Sequence, residues 1–253
     1  MHIETEDADL QYNAAIGNGA YSASTFPVYN VKNYSLSQQI YTAEEIGIAG
    51  TIKAIQFVYA GSAAFRMSGV RVYLKHTDKN GFSNENDMVP IDSGDNVFEG
   101  EFYASSTGLA TIRLYTPFEY DGNSNLLVCF LDPVNGSFGN GYEFYMHSAD
   151  NNKSIIAYHD SVIPSLDCSN WNSVFVDTSS SRNNICFVLT PNIFSEPVDL
   201  VVSNCTEQTA TLTWMAPDTD NAITGYTYQF KRASDAAWSA EVATNGTSVT
   251  LMD

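Results

Sequence analysis

The chain has 253 residues, of which 44% are hydrophobic and 13% aromatic, so it can bury a sizeable core and differs from intrinsically disordered chains. Lys and Arg total 11 against 29 Asp and Glu, and the net charge of −18 repels both nucleic-acid phosphates and anionic membranes. No apolar run approaches the roughly 20 residues that cross a bilayer. We therefore expect neither nucleic-acid binding nor membrane insertion.

The N-terminal residues 1–9 contain neither the basic nor the apolar segment of a signal peptide. We expect them to form a disordered segment. A cytosolic protein would also begin without a leader, but we favour the interpretation that a leader or an upstream domain precedes these residues in the natural protein.

Strand patterns with a period of two residues dominate the chain, and helical periodicity is scarce. One helical turn is predicted at residues 42–46, where Thr42 can cap the turn and Glu45 follows three positions later. Residues 125–131 are almost continuously apolar, which is typical of a strand that is buried on both faces or central in a sheet. The strands and their polar turns predict an all-β sandwich or barrel. The predicted strands before residue 191 are 52–59, 70–75, 97–103, 111–114, 125–131, 143–147, 154–159, 174–177 and 185–190.

Two prolines mark a domain boundary. Pro191 and Pro197 bracket a short extended segment, and the strand pattern changes after it. We therefore predict a first domain at residues 10–191, a linker at residues 192–196 and a second domain at residues 197–253.

The second domain has short strand patterns at residues 197–200, 210–214, 223–230 and 247–251. In these residues it resembles a fibronectin type III module, a small two-sheet sandwich of the immunoglobulin-like class. The resemblance implies that Trp214 packs against Tyr226 or Tyr228, and the shared face of Leu212 and Trp214 agrees with such a core. Because the sequence stops directly after the fifth strand of the module, we expect an incomplete module and a natural protein that continues.

The first domain carries strand and turn patterns at residues 34–41, 50–57, 72–82, 117–122 and 182–185. In these stretches it resembles a jelly-roll sandwich found in large exported proteins of anaerobic Gram-negative bacteria, with a pattern similar to the adhesin domains of gingipains. The resemblance implies an antiparallel jelly-roll β-sandwich with a binding or adhesion role and a secreted or cell-surface location.

Neither the cysteines nor the histidines form a pattern that indicates a metal centre or a catalytic centre. The cysteines, Cys129, Cys168, Cys186 and Cys205, include no CxxC pair, and buried free thiols are favoured over a disulfide. The histidines are His2, His76, His147 and His159, and no GxSxG motif accompanies them. We expect no catalytic activity in this chain, although a glycosidase-type carboxylate pair is an open alternative in any acidic sandwich.

The segment of residues 78–87 is the densest in oxygen ligands. It begins like a calcium-binding loop but lacks the closing glutamate, so calcium is a possible cofactor and a polar hairpin loop is the alternative. The candidate metal ligands are Asp78, Asn80, Asn84 and Asp87.

Aromatic residues in Gly-, Ser- and Asn-rich stretches can stack on sugars, while nearby amides bond to hydroxyl groups. The alternative is that most of these rings belong to the core. The candidate ligand-binding residues are Tyr29, Tyr34, Tyr142 and Trp171, and Tyr21, Phe26 and Phe138 lie in similar surroundings.

These observations favour an extracellular adhesion or ligand-binding protein whose partner is a glycan or a host or matrix protein. The main alternative is a carbohydrate-binding accessory region of a larger secreted glycosidase or peptidase. A structural spacer in a surface appendage is a third interpretation.

Overall fold

The computed structural model describes residues 11–137, 139, 141–191, 198–216, 225–231, 234–240 and 242–252. The described residues form two compact units that separate near residue 192. The predicted disordered segment at residues 1–9 and the predicted linker at residues 192–196 lie outside the described residues.

The first unit consists almost entirely of strands. Its elements are β1 (Tyr12–Ile16), β2 (Tyr21–Ala23), β3 (Tyr34–Tyr41), α1 (Ala43–Ile46), β4 (Gly50–Tyr59), β5 (Phe65–Thr77), β6 (Asn96–Ala104), β7 (Gly108–Tyr120), β8 (Asn125–Asp132), β9 (Phe144–Ser148), β10 (Ser154–His159), β11 (Phe175–Ser179), β12 (Ser181–Asn183) and β13 (Ile185–Pro191), with 3-10 turns at Ser93–Asp95 and Trp171–Ser173.

Two antiparallel sheets make up the sandwich. The first sheet has the order β1-β13-β4-β9-β12, with β7 also paired to β4 and β2 to β9, and the second has the order β11-β10-β3-β8-β5-β6. The chain crosses between the sheets repeatedly, as it does in a jelly roll. The predicted all-β antiparallel sandwich is confirmed. Among the residues that the structure describes, no helix is both long and apolar enough to span a bilayer.

The main core lies between the two sheets and is rich in aromatic rings. Phe57 of β4 contacts Phe144 of β9 at a ring-centroid distance of 6.4 Å, and both belong to the first sheet. Phe57 also contacts Phe102 of β6 at 6.0 Å and Phe130 of β8 at 5.4 Å, both on the second sheet. All four rings are fully buried, and each contact of Phe57 is edge to face, so Phe57 joins the sheets through a favourable aromatic geometry.

The central strands of the second sheet, β3 and β8, are buried on both faces. The outer face of the sheet carries Leu36, Leu127 and Cys129, which form a second apolar cluster beneath the segments that contain Phe82 and Trp171. The prediction that residues 125–131 form a strand buried on both sides is therefore confirmed, because seven of the eight residues of β8 are buried. The four cysteines of the chain are free thiols.

The predicted helical turn is confirmed as α1, which follows β3 directly. The Thr42 hydroxyl accepts a hydrogen bond from the backbone N–H of Glu45 at 3.3 Å, and the Glu45 carboxylate accepts one from the Thr42 N–H at 2.8 Å. Gly47 ends the turn with φ of 75°, a left-handed conformation that glycine adopts without a steric penalty. This capping box fixes the Glu45 side chain beside the sandwich.

A buried guanidinium group joins elements of both sheets. Arg182 of β12 is 1% exposed and donates to the Ile40 carbonyl, to the Glu45 carboxylate and, at 3.1 Å, to His147 Nε2. Its guanidinium carbon lies 4.5 Å from the centroid of the Tyr41 ring. The charge is therefore both paired and hydrogen-bonded, as a buried charge must be to be tolerated.

Next to Arg182, Asn183 continues the polar network between the sheets. Gln39 of β3 donates to Asn183 Oδ1 and accepts from the Asn183 N–H, both at 2.8 Å. The Tyr41 hydroxyl donates to the Asn183 carbonyl at 3.1 Å, and the Asn183 amide donates to the Phe26 carbonyl at 3.1 Å. The short strand β12 is thus held through side-chain contacts to the opposite sheet as well as by its pairing with β9.

The second unit has a small aromatic core. Trp214 is 8% exposed, and its ring meets that of Tyr226 edge to face at 5.3 Å. The predicted contact between Trp214 and a tyrosine of the next strand is confirmed, while Tyr228 stacks instead on Phe230 at 6.4 Å. The strands are β14 (Val198–Ser203), β15 (Thr209–Met215), β16 (Tyr226–Tyr228), β17 (Val242–Thr244) and β18 (Ser248–Met252), arranged as sheets β14-β15-β18 and β16-β17.

The replacement Trp214→Ala should destabilise the second unit by about 3–5 kcal/mol, because it deletes the largest buried ring of that unit. Hydrogen exchange of the β14, β15 and β18 amides measures the local loss. Trp238→Ala is the matched control, since Trp238 is 60% exposed. Equal protection in the two variants would contradict the assignment of Trp214 to the core.

Acid should weaken the first unit through His147. His147 Nε2 accepts from Arg182, so Nδ1 carries the proton that faces Asn184 Oδ1 at 3.1 Å. Burial lowers the pKa of His147, and the charge of Arg182 lowers it further, so the folded ring stays neutral at pH values where the unfolded one is protonated. The stability due to the neutral ring is present above the unfolded pKa of about 6.5 and is lost as the pH falls toward the folded pKa.

The free energy of unfolding is measured between pH 7.5 and pH 5 for the wild-type protein and for His147→Gln. This range extends about one unit or more on either side of the ordinary histidine pKa. We expect the wild-type protein to lose more stability on acidification than the variant. Parallel profiles for the two proteins would contradict the assignment.

Candidate functional site

A group of aromatic rings lies at one end of the second sheet, where its edge strand β11 begins. We call Tyr29, Tyr158, His159 and Phe175 the aromatic platform. Phe175 is 61% exposed and stacks on Tyr158 at 5.7 Å and on His159 at 5.8 Å. The Tyr29 ring meets the Tyr158 ring edge to face at 4.9 Å. A large exposed apolar ring that neighbouring rings hold in place is a surface suited to binding.

The pairing of two strands places these rings together. Tyr158, near the end of β10, lies directly opposite Phe175, the first residue of β11. Side chains that face each other across an antiparallel pair lie within contact distance, so the register itself stacks the two rings. Because β11 is at the edge of the sheet, Phe175 remains open to solvent.

Polar groups surround the platform and fix its orientation. The Tyr158 hydroxyl donates to Asp177 Oδ2 at 2.8 Å. Burial and this hydrogen bond raise the pKa of Tyr158 to about 12, so the phenol remains a donor at neutral pH. On the other side, the Lys32 ammonium lies 3.0 Å from Asp160 Oδ2 and 5.8 Å from the Tyr158 ring centroid. The hydrogen bond from Lys32 lowers the pKa of Asp160, which therefore stays ionised.

A cleft of about 240 Å³ lies between β11 of the second sheet and the β2–β9 region of the first. The cleft is lined in part by Asp177, which also holds the platform through its hydrogen bond with Tyr158. The other residues that line the cleft are Tyr21, Ala23, Thr25, Phe26, Met146, Ile156, Thr178, Ser179 and Ser181. Apolar walls with a few hydroxyl groups and one carboxylate are the usual composition of a small-ligand site.

Within the described part of the chain, two of the histidines, His147 and His159, are not hydrogen-bonded to a serine hydroxyl. His159 Nδ1 accepts the backbone N–H groups of Ser161 and Val162 at 3.0 Å and 3.1 Å, so the neutral ring carries its proton on Nε2. His147 contacts Arg182 and Asn184 rather than a serine hydroxyl. Both rings are thus engaged in structural hydrogen bonds.

The four predicted ligand-binding residues lie in three places. Tyr29 belongs to the platform, and Tyr34 lies next to it, opposite His159 in the pairing of β3 with β10. Tyr142 lies against the main core, 6.2 Å from the Phe65 ring. Trp171 packs against the outer apolar cluster, and Phe138 lies outside the described residues.

Sequence reasoning missed four residues of this site, Tyr158, His159, Phe175 and Asp177. The segments 154–159 and 174–177 were predicted as strands, but their pairing with each other was not, and only the pairing joins the rings. The one local signal is that aromatic residues stand at the end of one predicted strand and near the start of the next.

Two of the candidate calcium ligands, Asp87 and Asn80, accept hydrogen bonds from lysine side chains. The Asp87 carboxylate accepts from the Lys79 ammonium at 2.5 Å and from the Ser83 N–H at 2.8 Å. The hydrogen bond from Lys79 lowers the pKa of Asp87. Asn80 directs its backbone and side-chain oxygens to the Lys153 ammonium, both at 2.6 Å.

The other two candidate ligands also lie in the loop of residues 78–87. Asn84 Oδ1 accepts from the Asn86 N–H at 2.9 Å, and Asp78 is exposed. Among the described residues, no three His, Cys, Asp or Glu side chains are grouped to hold a metal ion. The loop is therefore organised by hydrogen bonds and lysine contacts, and its Phe82 side chain packs with the adjacent Met88 in the apolar cluster on the outer face of the second sheet.

Comparisons of the sequence with models of known protein families and with curated proteins produced no match.

Calcium should not change the thermal stability of the first unit, because the Asp87 and Asn80 oxygens are already bound by ammonium groups. Thermal unfolding in millimolar calcium and in excess chelator measures this. An increase in Tm with calcium that is absent in Asp87→Asn would show instead that the loop binds the ion.

Proposed function

We propose that this chain is an extracellular carbohydrate-binding protein of the adhesive type, which binds through the aromatic platform and the adjoining cleft and catalyses no reaction. The observation that carries the proposal is the exposed Phe175 ring, held by Tyr158 and His159 next to the Asp177 carboxylate. Aromatic rings pack on the C–H faces of a sugar, and carboxylates and hydroxyl groups bond to its hydroxyls.

The charge of the site favours one class of glycan. Asp177 lines the cleft, and Asp160, which pairs with Lys32, lies beside the platform. The whole chain carries a net charge of −18. A sulfated or carboxylated glycan would therefore be repelled, so neutral or amino sugars are the expected ligands.

The secreted location and the adhesive role rest on the two resemblances. The strand pattern of the first unit and the Trp214–Tyr226 contact of the second support a jelly-roll domain followed by a fibronectin type III module. Modules of these kinds display binding loops and edges outside the cell. The same site would also serve a carbohydrate-binding accessory region of a secreted enzyme, and the flanking sequence of the natural protein distinguishes these two roles.

The replacement Phe175→Ala should weaken glycan binding by roughly tenfold or more, since the loss of one stacking ring is worth about 1.5 kcal/mol. A glycan array identifies the neutral ligand, and isothermal titration calorimetry then measures Kd for both proteins. The fold should be unaffected because the ring is largely exposed.

The control for this experiment is Tyr115→Ala. Tyr115 is 72% exposed and stacks on Phe98 at 5.1 Å, so it is a similar aromatic surface in β7, outside the platform. Equal losses of affinity in the two variants, or an array without any bound glycan, would contradict the proposed site.

A further inference from the structure

A second cleft, of about 150 Å³, lies between the start of β5 and the loop that follows β8. It is lined by Arg66, Met67, Ser68, Asp132, Val134, Asn135 and Gly136. None of these residues belongs to the aromatic platform or to its cleft. The second cleft is therefore independent of the carbohydrate site proposed above.

Asp132 is the unusual residue of this cleft. Its side chain is fully buried, and Oδ1 accepts from the Val134 N–H at 3.2 Å. The other oxygen, Oδ2, is also buried and has no hydrogen-bond partner among the residues that the structure describes. A buried carboxylate with an unsatisfied oxygen is costly, and in folded proteins such a group is protonated or is completed by water, an ion or a ligand.

The backbone around Asp132 has a specific construction. The pairing of β5 with β6 shifts register between Met67 and Val70, which is a bulge in β5. Within the bulge Gly69 has φ of 72°, and a Cβ atom added there would lie 2.7 Å from Val134 Cγ2. The bulge therefore needs glycine to approach the loop after β8, and this approach forms the wall of the cleft.

The charges leave Asp132 uncompensated. Arg66 is the basic residue of the lining, but its guanidinium lies 2.8 Å from Glu101 and 4.7 Å from the Tyr103 ring. Since Glu101 neutralises Arg66, the ionised cleft carries the charge of one carboxylate. A cation that enters the cleft from solvent would therefore be attracted to Asp132 Oδ2.

We propose that this cleft binds a primary ammonium group, such as the side chain of a lysine on a partner protein. One ammonium group offers three hydrogen-bond donors, which suit Asp132 Oδ2 and the polar lining residues Ser68 and Asn135. A calcium ion needs six to eight oxygen ligands, which a cleft with one carboxylate beside a guanidinium does not provide.

Ammonium binding should depend on pH in a defined direction. Burial raises the pKa of Asp132 to about 7, so the empty site is largely protonated in mild acid. An ammonium group binds the ionised carboxylate, and binding therefore releases a proton. Affinity should rise as the pH increases from 6 to 8, where the amine itself remains protonated because its pKa is about 10.

The probe for the experiment is n-butylammonium, with n-butanol as the neutral probe of similar shape. Backbone NMR shifts of Ser68, Val134 and Asn135 report binding as each probe is titrated. We expect saturable shifts with the ammonium only, at lower concentration at pH 8 than at pH 6. Equal binding of n-butanol, no saturable shift, or displacement by calcium at lower concentration would overturn the proposal.

Two variants localise the site. Asp132→Asn keeps the shape of the side chain and should weaken butylammonium binding by roughly tenfold or more, the usual worth of a hydrogen bond to a charged group. Asp150→Asn removes the same charge from an exposed loop position and should leave binding unchanged. Equal weakening by both variants would mean that the net charge attracts the amine without a specific site, which would overturn the proposal. Should Asp132→Asn fail to fold, the comparison of the two probes in the wild-type protein decides the matter.

Discussion

The first unit depends on the burial of one positive charge, the guanidinium group of Arg182. An unpaired buried charge costs several kcal/mol, so any fold that buries Arg182 must also supply partners for its guanidinium group. Those partners come from β3, α1 and β9, which belong to different layers of the sandwich. The capping box of α1 holds Glu45 in position, and Asn183 extends the network to Gln39. Correct alignment of the two sheets is therefore coupled to the satisfaction of one charge.

Local sequence patterns predicted much of the fold. The strand at residues 125–131 and the turn capped by Thr42 follow from hydrophobicity and capping, which depend only on neighbouring residues. The contact of Trp214 with Tyr226 was expected from a family resemblance and from the apolar face of its strand. The candidate site was less predictable. Tyr29 was predicted to bind ligand and lies in the aromatic platform, but the neighbouring rings on β10 and β11 were not predicted, because strand pairing is a long-range property.

Two of the aromatic residues predicted to bind ligand, Tyr142 and Trp171, lie outside the aromatic platform, against apolar clusters. Trp171 follows a polar stretch and resembles an exposed loop residue, yet it packs against a sheet face that other loops also cover. A sequence pattern shows that a strand is apolar on both sides, but not which distant loop covers its second face. Asp132 illustrates the converse. It ends an apolar strand, where a solvated carboxylate would be ordinary, and its burial results from the approach of a bulge in a different strand.

The register of the second sheet places the two proposed binding sites in one row of residues. Phe175 lies opposite Tyr158, Tyr158 opposite Ser35, and Ser35 opposite Asp132, so these four residues form one row across four adjacent strands. With strands about 4.8 Å apart, the row spans about 15 Å. If both proposed sites bind their ligands, a partner that carries a sugar and a lysine at about this separation would contact the two sites together. Simultaneous attachment at both points would make the second contact intramolecular, and two weak contacts would then act as one strong attachment.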